Sequence, residues 1–251
     1  METVALIMVM LLVGLLLGFV GAGGSGFMIA VLTVGFGYPI HVAMGTAIAA
    51  MMFTSLSGML SQLRQQNTDI ATGILVGITG ALGSWVGSGI AFTIPESAMK
   101  WCTSGMLVLS GLALWLKLSM SSRDKEGQNP IHSPARRRIT AVCVGLTVGV
   151  LTGTFGIGST PFIQLGLMLL LGLSMRRAAG TSMLVILFVA AAGAVGYFQA
   201  GSLNVPLLFT VLAGSMTGSY IGARFTKRAP AALLKTGMVA TPIAAAFLLL
   251  L

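Results

Sequence analysis

The chain is written almost entirely in apolar runs separated by short polar breaks. The runs fall at roughly residues 3–20, 27–38, 40–63, 70–94 and 98–118, and again at 139–155, 161–173, 178–198, 205–224 and 231–251. Uncharged runs of this length, recurring along the whole chain, predict an all-α polytopic membrane protein. Between the two sets lies "SSRDKEGQNPIHSPARRR" (121–138), polar, charged and Pro-containing, which reads as a linker. The chain therefore divides into a first membrane repeat (1–120), a linker (121–138) and a second membrane repeat (139–251). The opening run has Glu2 and no Lys or Arg before it, so it is read as a first membrane segment rather than a cleaved signal.

The two sets are copies. At an offset of 135, Gly14, Gly18, Gly21 and Gly23 fall on Gly149, Gly153, Gly156 and Gly158, and "AMGTA" (43–47) falls on "AAGTS" (178–182). Residues 14–100 hold 16 glycines and their 87 counterparts hold 13; chance placement gives about two coincidences and nine occur. Gly-rich membrane helices in general do not produce an ungapped match of this extent, so the chain reads as an internal duplication, a common transporter architecture.

Two runs are too short to cross a bilayer. Residues 27–38 span about 18 Å as a helix, against a hydrocarbon core of ~30 Å. The run 161–173 is similar. Each follows a glycine-rich break, "GAGGSG" (21–26) or "GIGSTP" (156–161). The simplest account is a re-entrant half-helix in each repeat, with Ser25 and Thr160 as N-caps and Pro161 at the first helical position. A half-helix start leaves backbone N–H groups unpaired, and in lipid these need a cavity or a ligand. Positive dipole ends, hydroxyls and closely approachable glycine backbone suit an anion. Gly21, Gly23, Gly24, Ser25, Gly26, Gly156, Gly158, Ser159, Thr160 and Pro161 are thus candidate ligand contacts. Gly14, Gly18, Gly83, Gly87, Gly218 and Gly222 lie in unbroken runs and read as close helix packing.

Composition and charge narrow the classes. Hydrophobic residues make up 56% of the 251 and charged residues 8%, with a net charge of +9. The basic residues sit in short loops, where they orient a membrane protein rather than bind nucleic acid. With the linker placed in the cytoplasm and five segments counted per half, 13 of the 14 Lys and Arg fall on the cytoplasmic side and only Lys100 outside. Four crossings per half would split them seven to seven. Five is odd, so the two repeats are expected upside down relative to each other, with both termini external. Cys102 and Cys143 lie in separate apolar runs with no CxxC or Cys/His cluster, which leaves metal and redox chemistry unsupported; no metal and no cofactor are expected. Glu2, Asp69, Glu96, Asp124 and Glu126 all fall in loops or at segment ends, so a cation site built on a buried carboxylate is unsupported. A membrane-embedded enzyme would lack a nucleophile–base set, with both histidines in loops.

At these residues the sequence resembles the sulfite exporter TauE/SafE family of permeases. The resemblance rests on the repeated Gly-rich turn, the later "GTA" and "GTS" elements, and a G-x-x-x-G…P pattern closing each fourth segment. It implies movement of sulfur-containing anions such as sulfite and organosulfonates across the cytoplasmic membrane of a prokaryote. The implied partners are a small anionic substrate and the lipid bilayer; whether the protein is a monomer or a homodimer is not fixed by its sequence.

Other residues carry open readings. Thr46, Thr181 and Ser182 open the third segments and either line the path or bond back to their own helix. Gln164 either lines the site or bonds between helices. Gln62 and Tyr197, equivalent positions near the ends of the third segments, read as interfacial anchors. His41 reads as a loop histidine, with pH sensing the alternative. The main functional expectation is a secondary anion permease, and the runner-up is an uncoupled anion channel of the same architecture.

Overall fold

Helices account for all regular structure among the described residues of this computed structural model, which are 2–20, 25–64, 66–120, 134–157, 160–226 and 231–251. In chain order they are α1 (Glu2–Val20), α2 (Ser25–Ala30), α3 (Ile40–Arg64), α4 (Ile70–Ala91), α5 (Glu96–Met120), α6 (Pro134–Phe155), α7 (Thr160–Leu165), α8 (Met175–Gln199), α9 (Val205–Thr226) and α10 (Ala231–Leu250). α2 and α7 run on without interruption into π-helical turns, Val31–Gly35 and Gly166–Leu170. Six helices (α3, α4, α5, α6, α8 and α9) are long and apolar enough to cross a membrane.

The burial pattern explains why these runs do not make a water-soluble bundle. α4 exposes Ile70, Ile74, Ile78 and Leu82 along one stripe. Its buried face carries Gly73, Gly77, Gly80, Gly83, Ser84, Gly87 and Ser88. Large apolar groups outside and small groups inside is the distribution of a helix solvated by lipid, where association depends on close backbone approach rather than on hiding hydrocarbon from water.

That approach is close. A Cβ at Gly83 would lie 2.5 Å from the carbonyl oxygen of Leu146, and one at Gly149 would collide with the Gly80 backbone, so α4 and α6 touch backbone to backbone. α1 and α9 meet the same way: a Cβ at Gly14 would strike the Ser215 carbonyl, and one at Gly218 the Leu11 carbonyl. Gly14, Gly83 and Gly218, read as packing glycines, thus sit at helix crossings, as does Gly87 against Val150.

Helix boundaries recur along the chain. α3 and α8 begin at 40 and 175 and end at 64 and 199; α4 and α9 begin at 70 and 205 and end at 91 and 226. The offset is 135 at each boundary. The start of α3 lies at the end of α8, where a Cβ on Gly45 would be 2.6 Å from the Ser202 carbonyl. The start of α8 lies at the end of α3, where a Cβ on Gly180 would meet the Asn67 carbonyl. α3 and α8 therefore run antiparallel.

Several boundaries differ from expectation by a few residues. α6 starts at Pro134 rather than at 139, so the last five residues of the expected linker are helical, with Pro134 in the first turn where its missing N–H costs nothing. The second apolar segment starts at Ser25 and ends at Gly35 rather than spanning 27–38, because Gly37 turns the chain at φ +70° before α3. Gly172, its counterpart, has φ +67°.

Candidate functional site

The two short helices are positioned by what precedes them. α6 stops at Phe155 because Gly156 takes φ +67° and its N–H closes back on the Thr152 carbonyl at 2.9 Å, a left-handed helix stop that favours glycine. A Cβ at Gly156 would also meet Met44 at 2.8 Å and the Ile29 side chain at 3.1 Å, so this turn packs on α2 and α3. On the other side, a Cβ at Gly26 would collide with the Leu107 side chain. Leu107, halfway along α5, forms a small buried cluster with Ile157, Ala245 and Ala246, and Phe27 and Phe155 pack on it. The structure therefore brings Gly26 and Phe27 from the first break together with Gly156 and Ile157 from the second, at mid-height of α5.

Gly21, Gly23, Gly24, Gly158 and Ser159 lie outside the described residues. Ser25 and Thr160 are buried and are the first residues of α2 and α7. Thr160 does not act as an N-cap: it lies inside α7, and its hydroxyl has no hydrogen-bond partner among the described residues. Pro161 follows it in the first turn, where proline is tolerated. Gln164 is half-buried one turn further on.

The third-segment hydroxyls separate into three behaviours. The Thr46 hydroxyl is fully buried and unpartnered. Thr181 accepts a hydrogen bond from the Asp69 N–H at 3.0 Å, a contact between the two halves that neither sequence reading included. Ser182 bonds back to its own helix, donating to the Ala179 carbonyl at 2.8 Å. Apart from Tyr197, the polar side chains buried among the described residues are all Ser or Thr. No charged side chain is itself buried among the described residues, so the buried polar chemistry on offer is neutral hydroxyl.

Around Asp69 the chain builds its one charged junction among the described residues outside His41–Glu96. Asp69 caps α4, accepting from the Thr72 N–H at 3.1 Å and from the Thr72 hydroxyl at 2.9 Å. Arg137 on α6 donates to the same carboxylate at 3.0 Å. Partial burial would raise the Asp69 pKa; the Thr72 bonds and the Arg137 charge outweigh it and hold the carboxyl below its ordinary value.

Two sequence readings are corrected here. Tyr197 is not an interfacial anchor: it is fully buried and donates its hydroxyl to the Gly153 carbonyl at 2.9 Å. An aromatic ring near a segment end reads as a belt residue until a partner carbonyl across the bundle is known. His41 is not in a loop: it sits in the first turn of α3, stacks on Phe92 at 5.1 Å and lies 3.0 Å from the Ala91 carbonyl and 3.7 Å from Glu96. The sequence reading also passed over Thr103 and Ser104, whose hydroxyls are buried and unpartnered on α5. The signal was two consecutive hydroxyl residues inside an apolar run, "WCTSG" (101–105).

The fold and its buried hydroxyl chemistry define a multi-pass helical membrane protein. The sequence profile of the sulfite exporter TauE/SafE family matches residues 6–249, and the chain belongs to that family. It is 45% identical over 246 residues to "Probable membrane transporter protein YdhB" of Bacillus subtilis (strain 168), covering 98% of this chain and 99% of that protein. It is 26% identical to "Probable membrane transporter protein ORF9" of Sinorhizobium sp, over 91% of this chain and 85% of that one. "Probable membrane transporter protein YunE" of Bacillus subtilis (strain 168) matches at 23% over 75% of this chain and 72% of its own length. No solved structure matches the chain. The protein is a membrane transporter by family and by its relatives.

Proposed function

We propose that this transporter is a secondary permease for small anions, sulfite or organosulfonates among them, built from two inverted-topology repeats. In this reading α2 and α7 are re-entrant half-helices whose starts hold the anion near the membrane midplane. Gly21, Gly23, Gly24, Ser25 and Gly26 contribute from one side, and Gly156, Gly158, Ser159, Thr160, Pro161 and Gln164 from the other. Thr46, Thr181 and Ser182 border the path, and one repeat rocks against the other to alternate access. The antiparallel course of α3 and α8, which share their boundaries at an offset of 135, supports the inversion. The charge of the loops supports a cytoplasmic linker, external termini and a location in the cytoplasmic membrane.

The observation that carries the proposal is the meeting of Gly26 and Phe27 with Gly156 and Ile157 at mid-height of α5, in a bundle whose buried polar groups are uncharged hydroxyls. The start of a short helix leaves N–H groups without partners inside that helix, to be met at that depth by protein, a cavity or a ligand, and an anion suits both the N–H groups and the hydroxyl donors. The test is sulfite binding by purified Gly23→Val and Gly158→Val variants. Both are expected to remain folded in detergent and to lose binding; wild-type affinity in both would refute the site. The orientation is tested after replacing Cys102 and Cys143 by serine. A cysteine at Ser202 should react with an impermeant external thiol reagent and one at Ser174 should not; the opposite labelling refutes the topology.

A further inference from the structure

Eight buried hydroxyls find no hydrogen-bond partner among the described residues. A hydroxyl in a membrane helix has an easy local solution, a bond back to the carbonyl three or four residues earlier. Ser110 on α5 takes it, donating to the Leu107 carbonyl at 2.8 Å. Thr152, on α6, does the same with the Val148 carbonyl at 2.8 Å. Some orphans have a packing reason: Ser84 lies under Gly193, whose Cβ would be 2.7 Å from the serine oxygen, and Ser215 forms the crossing with Gly14. There a serine is the small residue that lets two helices touch.

No described glycine packs on Thr103 or Ser104 in this way. They are 0% and 3% exposed, adjacent, and on the same helix as Ser110, yet neither bonds to a carbonyl. Thr103 lies one turn before Leu107 on the same helix face, and Leu107 is the residue that packs on Gly26 and clusters with Ile157. α5 also packs directly on α7. α7 carries Thr160, a third buried and unpartnered hydroxyl. Three unspent hydroxyls therefore sit on two touching elements beside the candidate site. The counterparts of Thr103 and Ser104 at the 135 offset are Met238 and Val239, so the second half offers no matching hydroxyl pair.

We infer that Thr103 and Ser104 are ligand contacts of the transport site, donating to the oxygens of a bound oxyanion from the α5 side, so that the site is polar on its α5 wall and lacks that pair on its α10 wall. The inference rests on the reading of the site given under Proposed function and adds the residues that set its selectivity. An unsatisfied buried hydroxyl destabilises the empty protein, whereas an isosteric methyl does not, and the hydroxyl strengthens the complex by bonding the anion. Removing it should therefore move stability and affinity in opposite directions, which a structural role would not do.

The experiment uses the full-length protein purified in detergent, with sulfite and methanesulfonate as probes. Thr103→Val and Ser104→Ala should each melt no lower than wild type without anion and bind sulfite at least tenfold more weakly. Ser110→Ala serves as the control and should bind as wild type does. Wild-type affinity in both α5 variants, or a fall in the anion-free melting temperature that parallels the loss of affinity, overturns the inference while leaving the site itself standing. A wild-type protein that binds neither probe overturns the site reading, and this assignment with it.

Discussion

The two ends of the helix layer occupy matched positions and use opposite chemistry. At one end Asp69 caps α4 and is gripped by Thr72 and Arg137, while its N–H reaches Thr181 on α8. At the other end, 135 residues on, Asn204 caps α9 by accepting from the Leu207 N–H at 3.0 Å. The residues at the positions of Arg137 and Thr181 there are Glu2 and Thr46, and the Thr46 hydroxyl is unpartnered. In place of a carboxylate–guanidinium pair this end has His41, which lies 3.7 Å from Glu96 and stacks on Phe92, and Phe92 lies 5.4 Å from Tyr197. The helix interfaces differ in the same sense. α4 offers Gly73, Gly77 and Gly80 and packs tightly along α8, whereas α9 has Leu208, Leu212 and Ser215 at those positions and meets α3 more lightly. Helix boundaries that recur at an offset of 135 are thus fastened differently at each end. The end holding Asp69 is tied by an arginine–carboxylate pair and close contact, and the end holding Asn204 by a neutral cap, rings and the His41–Glu96 contact.

That contrast can be broken in graded steps. The largest effect is expected from Gly77→Leu, which installs on α4 the residue α9 carries at the same position. Its Cβ alone would lie 2.7 Å from the Phe188 ring, and overpacking of this kind should cost about 3 kcal/mol or more. Loss of the folded, monodisperse fraction on size-exclusion chromatography would register it. Asp69→Ala removes a cap and an ion-pair partner together and should cost about 2 kcal/mol, while Asn204→Ala removes only a cap and should cost about 1 kcal/mol. Thermal melts in detergent would rank the two, and equal losses would mean that the Arg137 contact contributes nothing.

The Asp69 junction should also respond to acid. Because the folded pKa of Asp69 is depressed below 3.8, its stabilising contribution is complete above that value and is lost as pH falls through the lower folded value. The melting difference between wild type and Asp69→Asn should therefore be constant near neutral pH and close in strong acid, whereas Asn204→Ala should show no such convergence. The smallest contrast concerns the paired threonines. Thr181→Val strands the Asp69 N–H and should cost about 1 kcal/mol, but Thr46→Val removes an unsatisfied hydroxyl and should leave the anion-free protein within about 0.5 kcal/mol of wild type.

Much of this frame was legible in the sequence for a physical reason. Where backbones touch, as Gly149 does Gly80 and Gly218 does Leu11, no side chain larger than hydrogen fits, which is why glycines stand out among the matches at an offset of 135. The short second segments were legible because glycine-rich breaks precede them and Gly37 and Gly172, both at positive φ, follow them. What escaped was set by distant partners. Nothing near Tyr197 in the chain announces the Gly153 carbonyl that allows its burial, and nothing near Thr181 announces the Asp69 N–H. Thr103 and Ser104 were visible as residues, but only burial and the absence of a helix back-bond distinguish them from ordinary packing hydroxyls such as Ser110.

If the two breaks form one alternating-access anion site, as proposed, counterflow of radiolabelled sulfite in proteoliposomes holding the purified protein reports it. Saturable uptake is expected, accelerated by unlabelled sulfite trapped inside and abolished by Gly23→Val and Gly158→Val. Non-saturating flux carried by voltage-driven unitary currents would contradict it in favour of a channel, and full counterflow in both glycine variants would contradict the site.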